Sequence, residues 1–146
     1  MKLIMTFLIA LLPVIGVLDA SAENKEQIKS GYVLKNLRLD KTTEAKFKPL
    51  FLNYLKEMKE AKDVYDNVKD KYKAAIKKGN LTDNQAAQLL NAHWNSDARE
   101  IAIKKKYTTI FTPCIGVKRT FLAFDYASDS MKKMKGGTKK SSEDDE

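Results

Sequence analysis

Residues 47–75 read FKPLFLNYLKEMKEAKDVYDNVKDKYKAA, and their apolar and aromatic side chains recur at alternating spacings of four and three. The members of this row are Phe47, Phe51, Tyr54, Met58, Ala61, Tyr65, Val68, Tyr72 and Ala75. Such spacing places them on one face of an α-helix, while Lys, Asp and Glu fill the other faces. The pattern predicts a long helix from Asp40 to a stop at Gly79, with Pro49 kinking it or separating a short helix from a long one.

Two more helices are expected after this one. Thr82 and Gln85 have the spacing of a capping box, preceded by Leu81, and they predict a helix that runs to about Phe111. Its apolar row is Leu90, Trp94, Ile101, Thr108 and Phe111. A break at residues 113–116 (PCIG) precedes a third helix with the row Val117, Phe121, Phe124, Ser128 and Met131. The predicted fold is all-α, with three to four amphipathic helices in a long-helix hairpin or thin bundle.

The two ends of the chain differ from its middle. Residues 3–18 are almost unbroken apolar sequence after Lys2, and the small residues Ala20 and Ala22 follow, so we expect a signal peptide over 1–22 that is cleaved before Glu23. An uncleaved anchor is the alternative, although this run is short for a bilayer span of about 20 residues. We expect a loosely packed N-terminal arm over 23–39, a helical domain over 40–134 and a disordered charged tail over 135–146.

Composition limits the chemistry. The chain has 146 residues, 27 Lys and Arg against 19 Asp and Glu, a net charge of +8, one His and one Cys. Because no nucleophile–base–orienter set can be assembled from one His and one Cys, we expect a protein that is not an enzyme and that needs no cofactor. Export argues against a nucleic-acid partner, despite the basic charge.

Three groups of residues are weighed as sites. Four lysines and one arginine are the candidate residues for binding client proteins: Lys104, Lys105, Lys106, Lys118 and Arg119. Two alternatives for these residues are a solvated helix face without a binding function and contact with an anionic membrane surface. His93, Asp97 and Glu100 have the spacing to share a metal ion, but no second ligand helix is identified, and no metal site is assigned. The lone Cys114 is expected to be a packed, inert thiol rather than half of an intermolecular disulfide.

Several short motifs resemble the Spy/CpxP family of periplasmic helical proteins, in particular its small Bacteroidetes members. LTDNQ at residues 81–85 matches the Leu-Thr-x-x-Gln motif of that family in full. LDKTTEA at 39–45 stands where a first copy is expected and departs from the pattern. FKPL at 47–50 with Tyr54, and IAIKKKY at 101–107, are similar to further stretches of the Bacteroidetes members.

This resemblance implies a thin, all-helical and often dimeric protein of the periplasm. Its implied function is that of an ATP-independent holding chaperone or envelope-stress adaptor, which binds unfolded or partly folded envelope proteins or a membrane-bound regulator. The alternative is a periplasmic metal or stress sensor that regulates a membrane-bound partner. If the protein is a dimer, we expect a non-covalent interface made by the long helix over residues 41–78.

Overall fold

The computed structural model describes the backbone of residues 20–136 and the side chains of residues 25–130, 132 and 133. This part of the chain contains five α-helices and no strand: α1 Ala20–Leu37, α2 Lys41–Lys71, α3 Lys73–Lys78, α4 Asp83–Ile115 and α5 Val117–Gly136. The all-α prediction is confirmed. Residues 1–19 of the expected signal peptide and residues 137–146 of the expected tail lie outside the described range. Ala20, Ala22 and Glu23 belong to the backbone of α1, and their side chains are not described.

α2 begins at a side-chain cap and runs through its proline. The Asp40 carboxylate accepts hydrogen bonds from the Thr43 backbone N–H (2.9 Å) and hydroxyl (2.7 Å). Pro49 lies inside the helix at an exposed position, where water can satisfy the carbonyl that its missing N–H leaves unpaired. A division at Pro49 is therefore wrong, and the interruption falls at Tyr72, between α2 and α3. The predicted stop is confirmed, because Gly79 adopts the left-handed conformation (φ 67°).

α4 starts as its sequence predicts and ends later. Thr82 Oγ1 accepts from the Gln85 N–H (3.2 Å), and the Gln85 side chain accepts from the Thr82 N–H (3.1 Å), which confirms the capping box. The predicted break over residues 113–116 is confirmed at its last residue, because the helix continues through Pro113 to Ile115. The chain turns at Gly116, whose φ of 83° suits glycine.

Residues 23–39 are not a loose arm. α1 packs against α5 and α2, and its buried residues follow helical spacing: Ser30, Val33, Leu34 and Leu37. Gly31 faces solvent and leaves the helix intact. The helix ends where Arg38 takes a positive φ of 49°.

The apolar row predicted for the third helix, α5, mostly does not face the core. α5 buries small side chains, namely Thr120, Ala123, Ala127 and Ser130. Of the row members whose side chains are described, Val117, Phe121 and Ser128 are exposed and Phe124 is partly buried. The side chain of Met131 lies outside the described range. Small residues let α5 lie close to α1, and a search for large apolar residues does not detect such a face.

An aromatic cluster holds α2, α4 and α5 together. Its rings are Phe47, Phe51, Tyr54, Tyr107, Phe111 and Phe124, with neighbouring centroids 4.9–6.1 Å apart. Such edge and tilted pairs stabilise a core beyond the area they bury. We call this part the four-helix base: α1, α5, residues 41–61 of α2 and residues 96–115 of α4.

Beyond the base, two helical segments continue as an antiparallel hairpin. Ser96 donates to the Ala61 carbonyl (2.9 Å) where the two parts meet, and Tyr72 donates to Gln88 (2.6 Å) further out. Between them, the Tyr65 and His93 rings lie 4.9 Å apart. Residues 62–95 form this hairpin extension. Of its apolar side chains only Ala92 is buried, because two helices cannot enclose a core.

Candidate binding cleft

A cleft of about 670 Å³ opens where the base gives way to the hairpin extension. It lies between two helix pairs, α1 with α5 and α2 with α4. Its floor is apolar: Tyr54, Leu55, Met58, Phe124 and Ala127. A concave site of this volume is common for ligand binding, and here the apolar floor is surrounded by charged side chains.

Two local features build the floor. Tyr54 and Met58 belong both to the apolar row of α2 and to the core of the base, and they line the cleft where that core reaches it. On the other side, the Phe124 ring lies 5.2 Å from the Tyr54 ring, whereas Ala127 one turn later is too short to fill the space. The change from a large to a small side chain along α5 therefore leaves the space open.

The rim of the cleft is charged, with an excess of lysine. Its ammonium groups are those of Lys25, Lys29, Lys59, Lys62, Lys104 and Lys132, and its carboxylates are those of Glu26, Asp63, Asp66 and Glu100. Lys59 pairs with Asp63 at 2.8 Å. Among the described side chains, Lys62 and Lys104 have no ion-pair partner. The rim thus offers positive charge to a ligand that carries acidic groups.

Tyr54, the tyrosine of the floor, keeps its hydroxyl proton and so can donate a hydrogen bond. Burial, with a smaller contribution from the charge of Glu100, raises the pKa of Tyr54 to about 12. Its hydroxyl stays protonated at any physiological pH. The cleft therefore combines apolar contact, one buried phenol and ammonium groups at its edge.

The lysine run on α4 does not form one patch. Lys104 lines the cleft and Lys105 is exposed. Lys106 faces α2, where its Nζ lies 2.7 and 3.0 Å from the two carboxylate oxygens of Glu57. Successive residues of a helix point about 100° apart, so three consecutive lysines cannot share one surface. Of the three predicted residues, the structure places Lys104 in the cleft.

The remaining predicted residues lie at another end of the base. Lys118 and Arg119 lie in the first turn of α5, where they line a separate depression of about 500 Å³. Apolar residues from α1, α4 and α5 complete it: Leu37, Ile115, Val117 and Leu122. The five candidate client-binding residues therefore do not act as a unit.

An exposed apolar row follows α4 away from the cleft floor. Leu90, Trp94 and Ile101 are each more than half exposed, and of the row predicted from sequence only Phe111 is buried. The face packed on α2 is built instead from Ala92, Ser96, Tyr107, Phe111 and Ile115. Lys104 and Lys105 lie on the next turn after Ile101, so two positively charged side chains follow the apolar row along the helix.

The other predicted side chains occupy packed or paired positions. His93 Nδ1 lies 3.6 Å from Asp97 Oδ1, and its ring lies between Tyr65 and Trp94 (4.9 and 5.2 Å). Glu100 lines the cleft rim, and within the described range no three metal-ligating side chains gather in one place. Cys114 is partly buried against the base core. No described helix has the length and apolar character needed to span a membrane.

Comparison of the chain with protein-family models, with curated proteins and with solved structures gives no match. The resemblance to Spy/CpxP proteins rests on its short motifs, and the cleft supplies an independent basis for assigning function. Lys104, a candidate client-binding residue from the sequence, lines the cleft, whereas the floor was not identified as a site from the sequence. The one indication of the floor in the sequence was the change from a large side chain at Phe124 to a small one at Ala127, within the third predicted helix.

Proposed function

We propose that this protein is an exported, ATP-independent holding chaperone or envelope-stress adaptor, which binds apolar segments of unfolded or partner proteins in the cleft. The observation that carries the proposal is the combination of an apolar floor with a lysine-rich rim in one open site. The export pattern over residues 1–22 and the motif resemblance support the periplasm as its location.

The chemistry of the cleft suits weak and reversible capture. A leucine or phenylalanine side chain of the bound segment contributes about 1.5–3 kcal/mol when it is fully buried. Acidic residues beside such a segment meet Lys62 and Lys104, which have no ion-pair partner among the described side chains. Long-range attraction of this kind speeds encounter more than it strengthens binding. Two or three such contacts hold a segment without preventing its release.

The exposed row on α4 extends the binding surface. Leu90, Trp94 and Ile101 lie along one helix that also supplies Glu100 and Lys104 to the cleft. A segment longer than the cleft has apolar side chains to contact on this helix. Exposed apolar surface of this extent marks interaction sites in soluble proteins.

Suppression of aggregation tests the proposal. Ser128 is exposed and lines the cleft, so Ser128→Trp fills the site without entering the core. Thr109→Trp is the matched control, because Thr109 is exposed on the base and lies outside the cleft. We expect the wild type and the control to slow light scattering by a reduced, unfolding client, and Ser128→Trp to lose most of this effect. Equal suppression by both variants would refute the cleft as the client site.

We also propose a homodimer, formed through the helix over residues 41–78 or through the exposed α4 row. The α2 row from Phe47 to Ala61 packs on α4 within one chain, so it is not available to a second copy. The exposed α4 row is the surface that a second copy would meet. Leu90→Ser with Trp94→Ser, examined by sizing chromatography, separates this interface from one that uses α2.

The sensor alternative depends on His93 and Asp97. Calorimetric titration with Zn²⁺ distinguishes it from the chaperone: heat of binding that His93→Ala removes would favour a sensor. The holding function predicts that His93→Ala suppresses aggregation as well as the wild type does.

A further inference from the structure

The end of the base formed by the α1–α2 and α4–α5 turns exposes two large apolar side chains. Val117 is 71% exposed and Phe121 is 67% exposed, the highest values among the large apolar residues of the described range. They are four residues apart on α5 and share one face of it. We call residues 35–41 and 115–122 the base tip. Leu37 lines the same depression as residues 115–119, which shows that the two turns adjoin.

Positive charge surrounds this apolar pair. Lys118 and Arg119 follow Val117 directly, and neither has an ion-pair partner among the described side chains. The α1–α2 side adds Lys35, Arg38 and Lys41. The acidic residues nearest in sequence to this end are Asp40, Glu44 and, one turn past Phe121, Asp125. Asp40 is engaged in capping α2, through hydrogen bonds from Thr43.

We propose that the base tip docks on the surface of an anionic bilayer. Val117 and Phe121 enter the boundary between headgroups and acyl chains, while Lys118, Arg119 and Arg38 contact lipid phosphates. Apolar insertion combined with attraction to anionic lipid is the chemistry of interfacial membrane binding. This inference is independent of the proposed function, since the base tip shares no residue with the cleft.

A lipid surface fits the base tip better than a second protein does. The two side chains expose a few hundred Å² between them, whereas a stable protein interface needs about 800 Å² per partner. A bilayer needs no shape-matched partner surface, and its anionic headgroups complement the five basic residues of the tip. Docking by one end also leaves the cleft and the hairpin extension accessible.

Co-sedimentation with vesicles tests the proposal on the chain as purified from the envelope fraction. The vesicles are made from equal parts of phosphatidylcholine and phosphatidylglycerol, with phosphatidylcholine alone for comparison. The first variant is Val117→Ser with Phe121→Ser, and the second is Lys118→Gln with Arg119→Gln. The charge-matched control is Lys77→Gln with Lys78→Gln, at the far end of the hairpin extension. All four positions of the tip variants are exposed, and circular dichroism verifies the fold.

The expected result is strong binding to the anionic vesicles and weak binding to phosphatidylcholine. Each tip variant should lose about tenfold or more in partitioning, while the control should change by less than about twofold. Because every variant has the same N-terminus, a retained leader cannot produce these differences. An equal loss in the control would refute docking through the tip, as would wild-type binding by either tip variant. A sizing shift that depends on Val117 and Phe121, without vesicle binding, would assign the tip to a second copy instead.

Discussion

At Ser30, the buried face of α1 carries a hydroxyl group with no hydrogen-bond partner among the described residues. A buried hydroxyl that loses its water without gaining a partner costs about 1–3 kcal/mol. We therefore expect Ser30→Ala to raise the free energy of unfolding by about 1 kcal/mol in urea. Ser128→Ala, at an exposed position of α5, is the control and should leave it unchanged. A destabilised Ser30→Ala protein would show that the hydroxyl is hydrogen-bonded.

Glu57 joins α2 to α4 through two donors. The hydrogen bond from Lys106 (2.7 Å) has the largest effect and lowers the pKa of this carboxyl group. Burial opposes it, and the hydrogen bond from the Tyr107 hydroxyl (2.9 Å) lowers the pKa further. Burial and the bond to Glu57 raise the pKa of Tyr107 to about 12, so it remains the donor. Because the pKa of Glu57 is lower in the folded state, its stabilisation is present above the unfolded pKa and is lost as pH falls through the folded one.

We expect Glu57→Gln to lower the free energy of unfolding by about 1 kcal/mol at neutral pH, a modest value for a side chain that is one-third exposed. The difference from the wild type should shrink as the pH falls below about 4. Urea denaturation over a pH series measures it, with Glu60→Gln on an exposed position of the same helix as the control. A difference that grows in acid would contradict this account.

At the scale of single elements, the α4 capping box secures the helix that supplies the cleft rim and the exposed row. Thr82→Ala removes the acceptor of the Gln85 N–H, and we expect a loss of about 1 kcal/mol in unfolding free energy. Hydrogen exchange should accelerate at amides 84–86 first. Thr108→Ala, at an exposed position within the same helix, should cause no loss. Equal effects at both positions would show that the cap contributes nothing specific.

Local signals predicted some elements well and failed for others. The capping box at Thr82 and the glycine stop at Gly79 depend on neighbours in sequence, and both are confirmed. α1 was missed because its buried face includes Ser30 and because Gly31 lies on its solvent side. The buried face of α5 was missed for a related reason. Its small residues are buried only because α1 lies against them, which no local pattern encodes.

The candidate site was predictable only in part, because the cleft arises from the separation of two helix pairs. Lys104 was identified from its place in a basic run, but the same run suggested a single patch with Lys106. Helix geometry turns Lys106 to Glu57 instead. The floor depends on how far α5 stands from α2 beyond Phe124, and such a distance between elements remote in sequence has no signature in local periodicity.

For the whole molecule, the excess positive charge predicts salt-sensitive capture of clients. Raising the ionic strength from low values to about 0.3 M shortens the screening length to below 10 Å, so capture of an acidic client should slow markedly. Lys104→Gln with Lys105→Gln should reproduce part of this effect. Lys106→Gln, which removes the same kind of charge from an existing ion pair, should not. Stopped-flow capture rates measure the difference, and rates insensitive to salt would indicate purely apolar binding.

The most direct test of client binding in the cleft is site-specific photo-crosslinking to an unfolding client. A photoreactive side chain is placed at Ser128 in the cleft, at Thr109 on the outside of the base, or at Phe121 in the base tip. The account predicts strong crosslinks from Ser128, which an excess of unlabelled client abolishes, and background levels from the other two positions. Crosslinks that are equal at all three positions, or that are strongest at Thr109 or Phe121, would contradict it.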